Sequence, residues 1–211
     1  MNIIILGDKF QKRMKSKGCT ALLDYNKKPL FYYQYNIIRS IFPEDRIIYI
    51  YGFEAKKFES YIKENSHQYT NLDIIYNKKY ELYNTTSSLY AAKNFLNTDC
   101  LIMFGDIMIG KNIFNRFDKS FGSQAFLSLH NDYKLGCNIC NSSLSNIDYE
   151  LENYIYNIYY IQNEHIKYLY NMIINENNLN CFVFELINKL IENHNINIKP
   201  FFIDNKKRAK V

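Results

Sequence analysis

Residues 2–14 read NIIILGDKFQKRM. The stretch opens on a short, almost unbroken apolar run that ends at Gly7. Such a run is a strand buried on both faces, as in parallel sheets covered by helices. An α/β protein that holds a phosphate after its first strand usually does so on a glycine-rich loop. Here the loop is basic instead. Lys9, Lys12, Arg13, Lys15 and Lys17 fall within residues 9–17, and Gly18 supplies one flexible turn.

The alternation continues outward. PLFYYQYNIIRSI (29–41) has helical spacing with proline at its start. RIIYIYG (46–52) is a second buried strand, EAKKFESYIKEN (54–65) an amphipathic helix and LDIIYN (72–77) a third strand. TSSLYAAKNFL (86–96) reads as a helix capped by Asn84 or Thr85, and CLIMFGD (100–106) as a fourth buried strand. Strand and helix alternating with short connections predict an α/β fold, a doubly wound, mainly parallel, Rossmann-like sheet. The pattern then changes. Residues 123–129, 135–141 and 154–161 are strand-like with alternation, which predicts an antiparallel extension in the C-terminal half. EHIKYLYNMI and residues 181–193 read as helices, and 196–204 as a last strand that Pro200 places at an edge or bulge. With no repeat and no linker, residues 1–211 are expected to form a single domain.

Composition bounds the function. Of 211 residues, 47% are apolar, enough for a sizeable core; there are 20 tyrosines and no tryptophan. A formal charge of +5 suits an anionic ligand but does not argue for nucleic acid. Five cysteines without a framework indicate a reducing compartment. Cys137 and Cys140 lack further zinc ligands apart from His130, so they read as a buried pair of thiols on a short strand. No apolar run reaches ~18 residues, and the N-terminus lacks the order of a signal peptide, so a cytoplasmic location is expected. Asp8 reads as the cap of the turn after the first strand, with a second metal ligand as its alternative. The tyrosines of 154–160 read as core, and His67, His130, His165 and His194 receive no role.

Three stretches fall beyond the carboxyl ends of the strands, where ligands bind in a doubly wound sheet: 7–20, 76–88 and 105–108. Together they resemble the nucleotidyltransferases of the sugar-phosphate nucleotidyltransferase fold, and within them the small phosphocholine-type cytidylyltransferases. That family opens with L-A-A-G-x-G-x-R-M, P-K-x-L-L and G-K-P-L. Here LGDKFQKRM, CTALL and KKPL take those places, with Arg13, Met14, Ala21–Leu23 and Lys28–Leu30 matching. Lys9 and Gln11 replace glycines, and Cys19 and Thr20 replace the Pro-Lys pair. YNTTSSLYAAKNFL resembles the N-N-x-x-S-L-x-x-A segment, with Asn84, Thr85 and Ser88 in its polar positions. IMFGDIMI resembles the strand end whose aspartate holds Mg²⁺.

The resemblance implies a Mg²⁺-dependent nucleotidyltransferase. It would move a nucleotidyl group, CMP from CTP, onto a small phosphorylated acceptor such as a sugar phosphate or phosphocholine-like compound, releasing pyrophosphate. Arg13 and Asp106 are the implied catalytic residues. Gly7, Lys12, Lys15, Lys17, Asn84, Thr85 and Ser88 are the implied nucleotide- or acceptor-binding residues, with any of Lys12, Lys15 or Lys17 standing in for the missing lysine. Asp106 is the implied metal ligand and Asp204 the candidate second one; a competing alignment makes FFIDNKKRAKV the strand and turn ahead of that ligand's segment. Residues 1–110 would form the nucleotide half and 111–211 the acceptor half. No membrane or nucleic-acid partner is expected, and a homodimer is left open. The lost glycines and Pro-Lys pair support an alternative, a catalytically inactive relative acting in binding or assembly.

Overall fold

The computed structural model describes residues 1–9, 16, 18–128 and 135–203. In chain order its strands are β1 (Asn2–Leu6), β2 (Asp24–Tyr25), β3 (Lys28–Pro29), β4 (Arg46–Tyr51), β5 (Leu72–Tyr76), β6 (Cys100–Phe104), β7 (Gln124–Ser128), β8 (Leu135–Cys140), β9 (Ser143–Tyr149), β10 (Ile155–Ile161) and β11 (Lys199–Ile203). The helices are α1 (Leu30–Ile41), α2 (Ala55–Glu64), α3 (Thr86–Ala91), α4 (Asn163–Ile174) and α5 (Val183–His194).

Seven strands form one sheet in the order β11-β7-β10-β6-β1-β4-β5. β6, β1, β4 and β5 are parallel, with Ile4 opposite both Ile48 and Ile102. β10 runs antiparallel between β6 and β7, and β11 pairs parallel with β7 at the edge, where Pro200 sits. The fold is therefore the mainly parallel, Rossmann-like sheet with an antiparallel extension that the sequence predicts.

Side-chain alternation on the central strands divides the interior in two. Ile3, Ile5, Ile47, Tyr49, Leu101 and Met103 pack on one face against Phe31 of α1 and Phe58 of α2. Ile4, Leu6, Ile48, Ile50, Cys100 and Ile102 pack on the other against Leu89, Leu169 and Leu186 of α3, α4 and α5. Because both faces are covered, these strands are apolar at almost every position.

Four local readings change. α3 stops at Ala91, and a 3₁₀ turn, Lys93–Phe95, takes the rest of the expected helix. β9 was not expected. It closes a hairpin with β8 through Asn141 and Ser142, both at positive φ (49° and 62°), the conformation of a tight two-residue hairpin turn. Cys137 is buried, with its thiol pushed up to about 12 by burial, whereas Cys140 is exposed, so the two are not a buried pair. β10 carries a register shift between Ile155 and Tyr159, with Asn157 at φ 55°; this bulge interrupts what read as a regular strand, although Tyr156, Tyr159 and Tyr160 are buried as expected. Among the described residues no helix is long and apolar enough to cross a membrane.

Candidate active site

From β1 the chain builds the sheet toward β4 and β5, then returns to place β6 on the other side of β1. The crevice beyond the carboxyl ends of β1 and β6 is thus the topological switch point, the usual ligand position in such sheets. Two glycines line it. A Cβ on Gly105 would lie 2.6 Å from the Gly7 Cα, and a Cβ on Gly7 would lie 2.0 Å from the Tyr49 hydroxyl. Tyr49 fills the space beneath both. It is fully buried, and its hydroxyl has no hydrogen-bond partner among the described residues. Burial first, and then the nearby Cys19, Asp8 and Asp106, push its pKa well up, so it stays protonated. Asp106 follows Gly105 on the turn after β6 and is exposed.

Among the described residues, Asp8 bonds the 77–88 segment. Its fully buried carboxylate accepts hydrogen bonds from Ser88 Oγ at 2.6 Å and Asn77 Nδ2 at 2.7 Å. Lys9 Nζ lies 3.6 Å away. The Lys9 ammonium in turn donates to the carbonyls of Tyr80 (2.7 Å) and Tyr83 (2.6 Å) and reaches Ser87 Oγ at 3.2 Å. Burial lowers its pKa despite the neighbouring Asp8. Asp8 and Lys9 therefore join the end of β1 to the 77–88 segment, and the Lys9 cation is already committed to protein acceptors. Lys9→Met is expected to cost about 1–3 kcal/mol, because a buried carboxylate and two carbonyls lose their shared cation. Chemical denaturation against Asn36→Ala, an exposed change on α1, checks this.

The other polar positions of that segment also meet protein atoms. Asn84 Nδ2 donates to the Asn180 carbonyl at 2.5 Å, and Thr85 Oγ1 accepts from the Val183 backbone N–H at 3.0 Å. Thr85 is the residue before α3 but makes no side-chain cap bond to it. So Asn84 and Thr85 fasten the start of α3 to the start of α5, while Ser88 faces Asp8 rather than sharing a site with them.

The far end of the basic loop is anchored by Glu54, which accepts from the Cys19 backbone N–H at 2.8 Å. Lys57 and that amide hold the Glu54 carboxyl below its usual range. Gly18 is at φ 90°, and a Cβ there would meet the Glu54 carboxylate at 2.7 Å. Cys19 and Thr20, in place of the Pro-Lys pair, are both buried, and burial pushes the Cys19 thiol up, so it stays neutral; neither side chain can carry the positive charge of a lysine. Arg13, Lys12, Lys15, Lys17, Asp204 and His130 lie outside the described residues.

Beside the end of β6 is a cavity of about 230 Å³ lined by Thr85, Phe104, Leu135, Tyr149, Asn157, Phe182, Val183 and Phe184. Phe182 and Phe184 are stacked at 5.8 Å, and Tyr149 meets Phe184 edge-on at 5.6 Å. The β10 bulge supplies Asn157 as one of its few polar walls. For Mg²⁺, an exposed carboxylate at the strand end fits a site that takes one protein oxygen and completes its shell with phosphate and water. Among the described residues no cluster of three or more metal-ligating side chains occurs, so a cage made only by these residues does not fit.

No protein-family model matches the chain. Over 124 residues it is 32% identical to the choline-phosphate cytidylyltransferase of Haemophilus influenzae, covering 54% of this chain and 47% of that protein. The match thus spans about half the length of this curated relative. The structure is similar to the CTP:phosphocholine cytidylyltransferase of Streptococcus pneumoniae, with a TM-score of 0.75, 16% identity, and 98% of this chain and 90% of that one covered. The inositol-1-phosphate CTP transferase of T. maritima gives 0.73, 14% identity, 95% and 84%. The nucleoside-diphosphate-sugar pyrophosphorylase of Vibrio cholerae gives 0.74, 14%, 95% and 91%. The chain has the nucleotidyltransferase fold that its sequence resembles, and in sequence it is similar to a choline-phosphate cytidylyltransferase.

Proposed function

We propose that this chain transfers a cytidylyl group from CTP to a small phosphorylated acceptor with a cationic head, of the phosphocholine type. The observation that carries the acceptor is the aromatic cavity that Phe104, the last residue of β6, helps to line. Ring faces attract a bulky cation, whereas a sugar would need hydroxyl partners. Among its described walls the polar side-chain groups are Thr85, Asn157 and the Tyr149 hydroxyl, few against four aromatic rings, and Thr85 already accepts from Val183. The cavity draws Thr85 and Phe104 from residues 1–110 and its other walls from 111–211, consistent with a nucleotide half and an acceptor half. CTP rests on what the similar proteins use, since Asn84, Thr85 and Ser88 bond protein atoms in the structure.

In this scheme the triphosphate lies over the crevice between Gly7 and Gly105, with Arg13 and the loop lysines Lys12, Lys15 and Lys17 neutralising it. An acceptor phosphate oxygen attacks the α-phosphorus in line. The new O–P bond forms as the bond to the β-phosphate oxygen breaks, and pyrophosphate leaves with that electron pair. No covalent enzyme intermediate is needed; the protein positions and neutralises. Asp106 would hold Mg²⁺, which supplies positive charge to the phosphate oxygens. Asp204 is the proposed second carboxylate.

Pyrophosphate release with CTP and Mg²⁺ tests the acceptor. Phosphocholine is expected to exceed glucose 1-phosphate by about tenfold or more, the worth of one or two desolvated cation–ring contacts. Equal rates would remove the cationic head from the proposal. A second reading, an inactive binding relative, is favoured by the committed Lys9 cation and by the buried, uncharged Cys19 and Thr20. CTP binding without turnover under any acceptor would select it.

A further inference from the structure

Gln34 is a fully buried polar residue on the inward face of α1, among Leu30, Phe31, Tyr35 and Ile38. Its Nε2 donates to two backbone carbonyls, Gly105 O at 3.0 Å and Ile107 O at 2.7 Å. These are the carbonyls on either side of Asp106. Both partners are acceptors, so the orientation of the amide is determined by chemistry: its NH₂ group must face the turn. The other end of the amide, Oε1, is buried without a partner among the described residues. An unpaired buried carbonyl is destabilising. An apolar side chain of similar size would remove that cost but release both carbonyls of the turn.

We infer that Gln34 is a positioning residue for Asp106. It holds the 105–107 turn from beneath, so that the Asp106 carboxylate is presented at the crevice in one orientation. It also occupies the two flanking carbonyls, which keeps them from competing as metal ligands. The inference rests on the proposed role of Asp106 toward Mg²⁺. Preorganised ligands lose activity when their support is loosened even though the ligand itself remains.

The test compares CTP dissociation constants with Mg²⁺ and with EDTA, by calorimetry, for wild type, Gln34→Met, Gln34→Asn and Asp106→Asn. Met keeps the volume and removes the donor; Asn keeps the donor but withdraws it, and serves if the Met variant does not fold. In either Gln34 variant the tightening of CTP by Mg²⁺ is expected to shrink by about tenfold, roughly the value of one or two hydrogen bonds. The constant in EDTA should stay within about twofold. A merely structural role would weaken both constants alike, and that result overturns the inference. Asp106→Asn should lose the Mg²⁺ effect altogether. If it keeps the effect, the role of Asp106 fails; if it loses the effect while both Gln34 variants keep it, the positioning role alone fails.

Discussion

Asp106→Asn is expected to lower turnover of CTP by about 10²- to 10³-fold while leaving the melting temperature nearly unchanged. The side chain is exposed, on the turn after β6, so the isosteric amide removes charge without opening a cavity. A neutral amide oxygen is a poor ligand for a hard divalent cation, and the phosphate charge that develops during transfer then lacks its counter-charge. The loss should fall in kcat more than in KM, because the interaction strengthens as pyrophosphate departs. Initial rates across a Mg²⁺ titration check it. Turnover within about threefold of wild type would place the metal elsewhere.

Gly7→Ala is expected to destabilise the protein by about 1–3 kcal/mol, and by more if the backbone cannot shift. The added Cβ would meet the Tyr49 hydroxyl at 2.0 Å and the ring carbon bearing it at 2.3 Å. Tyr49 has little room to yield, being packed edge-on to Phe31 at 4.9 Å and against Phe58 at 4.9 Å. Tyr49→Val should relieve the clash. The pair is then coupled, with the double variant more stable than the two single effects predict by about 1 kcal/mol or more. Tyr49→Phe alone should not destabilise, since the hydroxyl it removes has no partner among the described residues. Denaturant unfolding of the four variants measures the cycle; strict additivity would show that Gly7 is not there to admit Tyr49.

Much of the fold was legible because the central strands are buried on both faces. Asn2–Leu6, Arg46–Tyr51 and Cys100–Phe104 are almost continuous apolar runs, and parallel strands covered by helices need them. Ser143–Tyr149 was not legible: its burial falls on Leu144 and Ile147, and polar residues fill the remainder. Much of what defines it lies across space, as Asn188 of α5 bonds both the N–H and the carbonyl of Ile147 at 2.8 Å.

Of the candidate site, the strand end Gly105–Asp106 was legible, as an aspartate after an apolar run. The site was not legible at Asp8, whose partners Asn77 and Ser88 are 69 and 80 residues away. Nothing in the basic loop marks Lys9 as the cation that turns inward to Tyr80 and Tyr83. Gln34 had a visible signal, a polar residue on the apolar face of α1, but its role depends on a turn 71 residues distant. The segment NTTSSL reads like a set of ligand-facing hydroxyls. In the fold its Asn84 and Thr85 hold α3 to α5, because a short helix with no side-chain cap of its own is fastened by tertiary bonds.

Phosphorus NMR of the protein with CTP, phosphocholine and Mg²⁺ tests nucleotidyl transfer most directly. The account predicts loss of the triphosphate signals and growth, in equal amounts, of pyrophosphate and of a new diphosphate linking cytidine monophosphate to the acceptor phosphate, with both formed about 10²- to 10³-fold more slowly by Asp106→Asn. Unchanged CTP under conditions where calorimetry shows it bound would contradict transfer and leave a nucleotide-binding protein in its place.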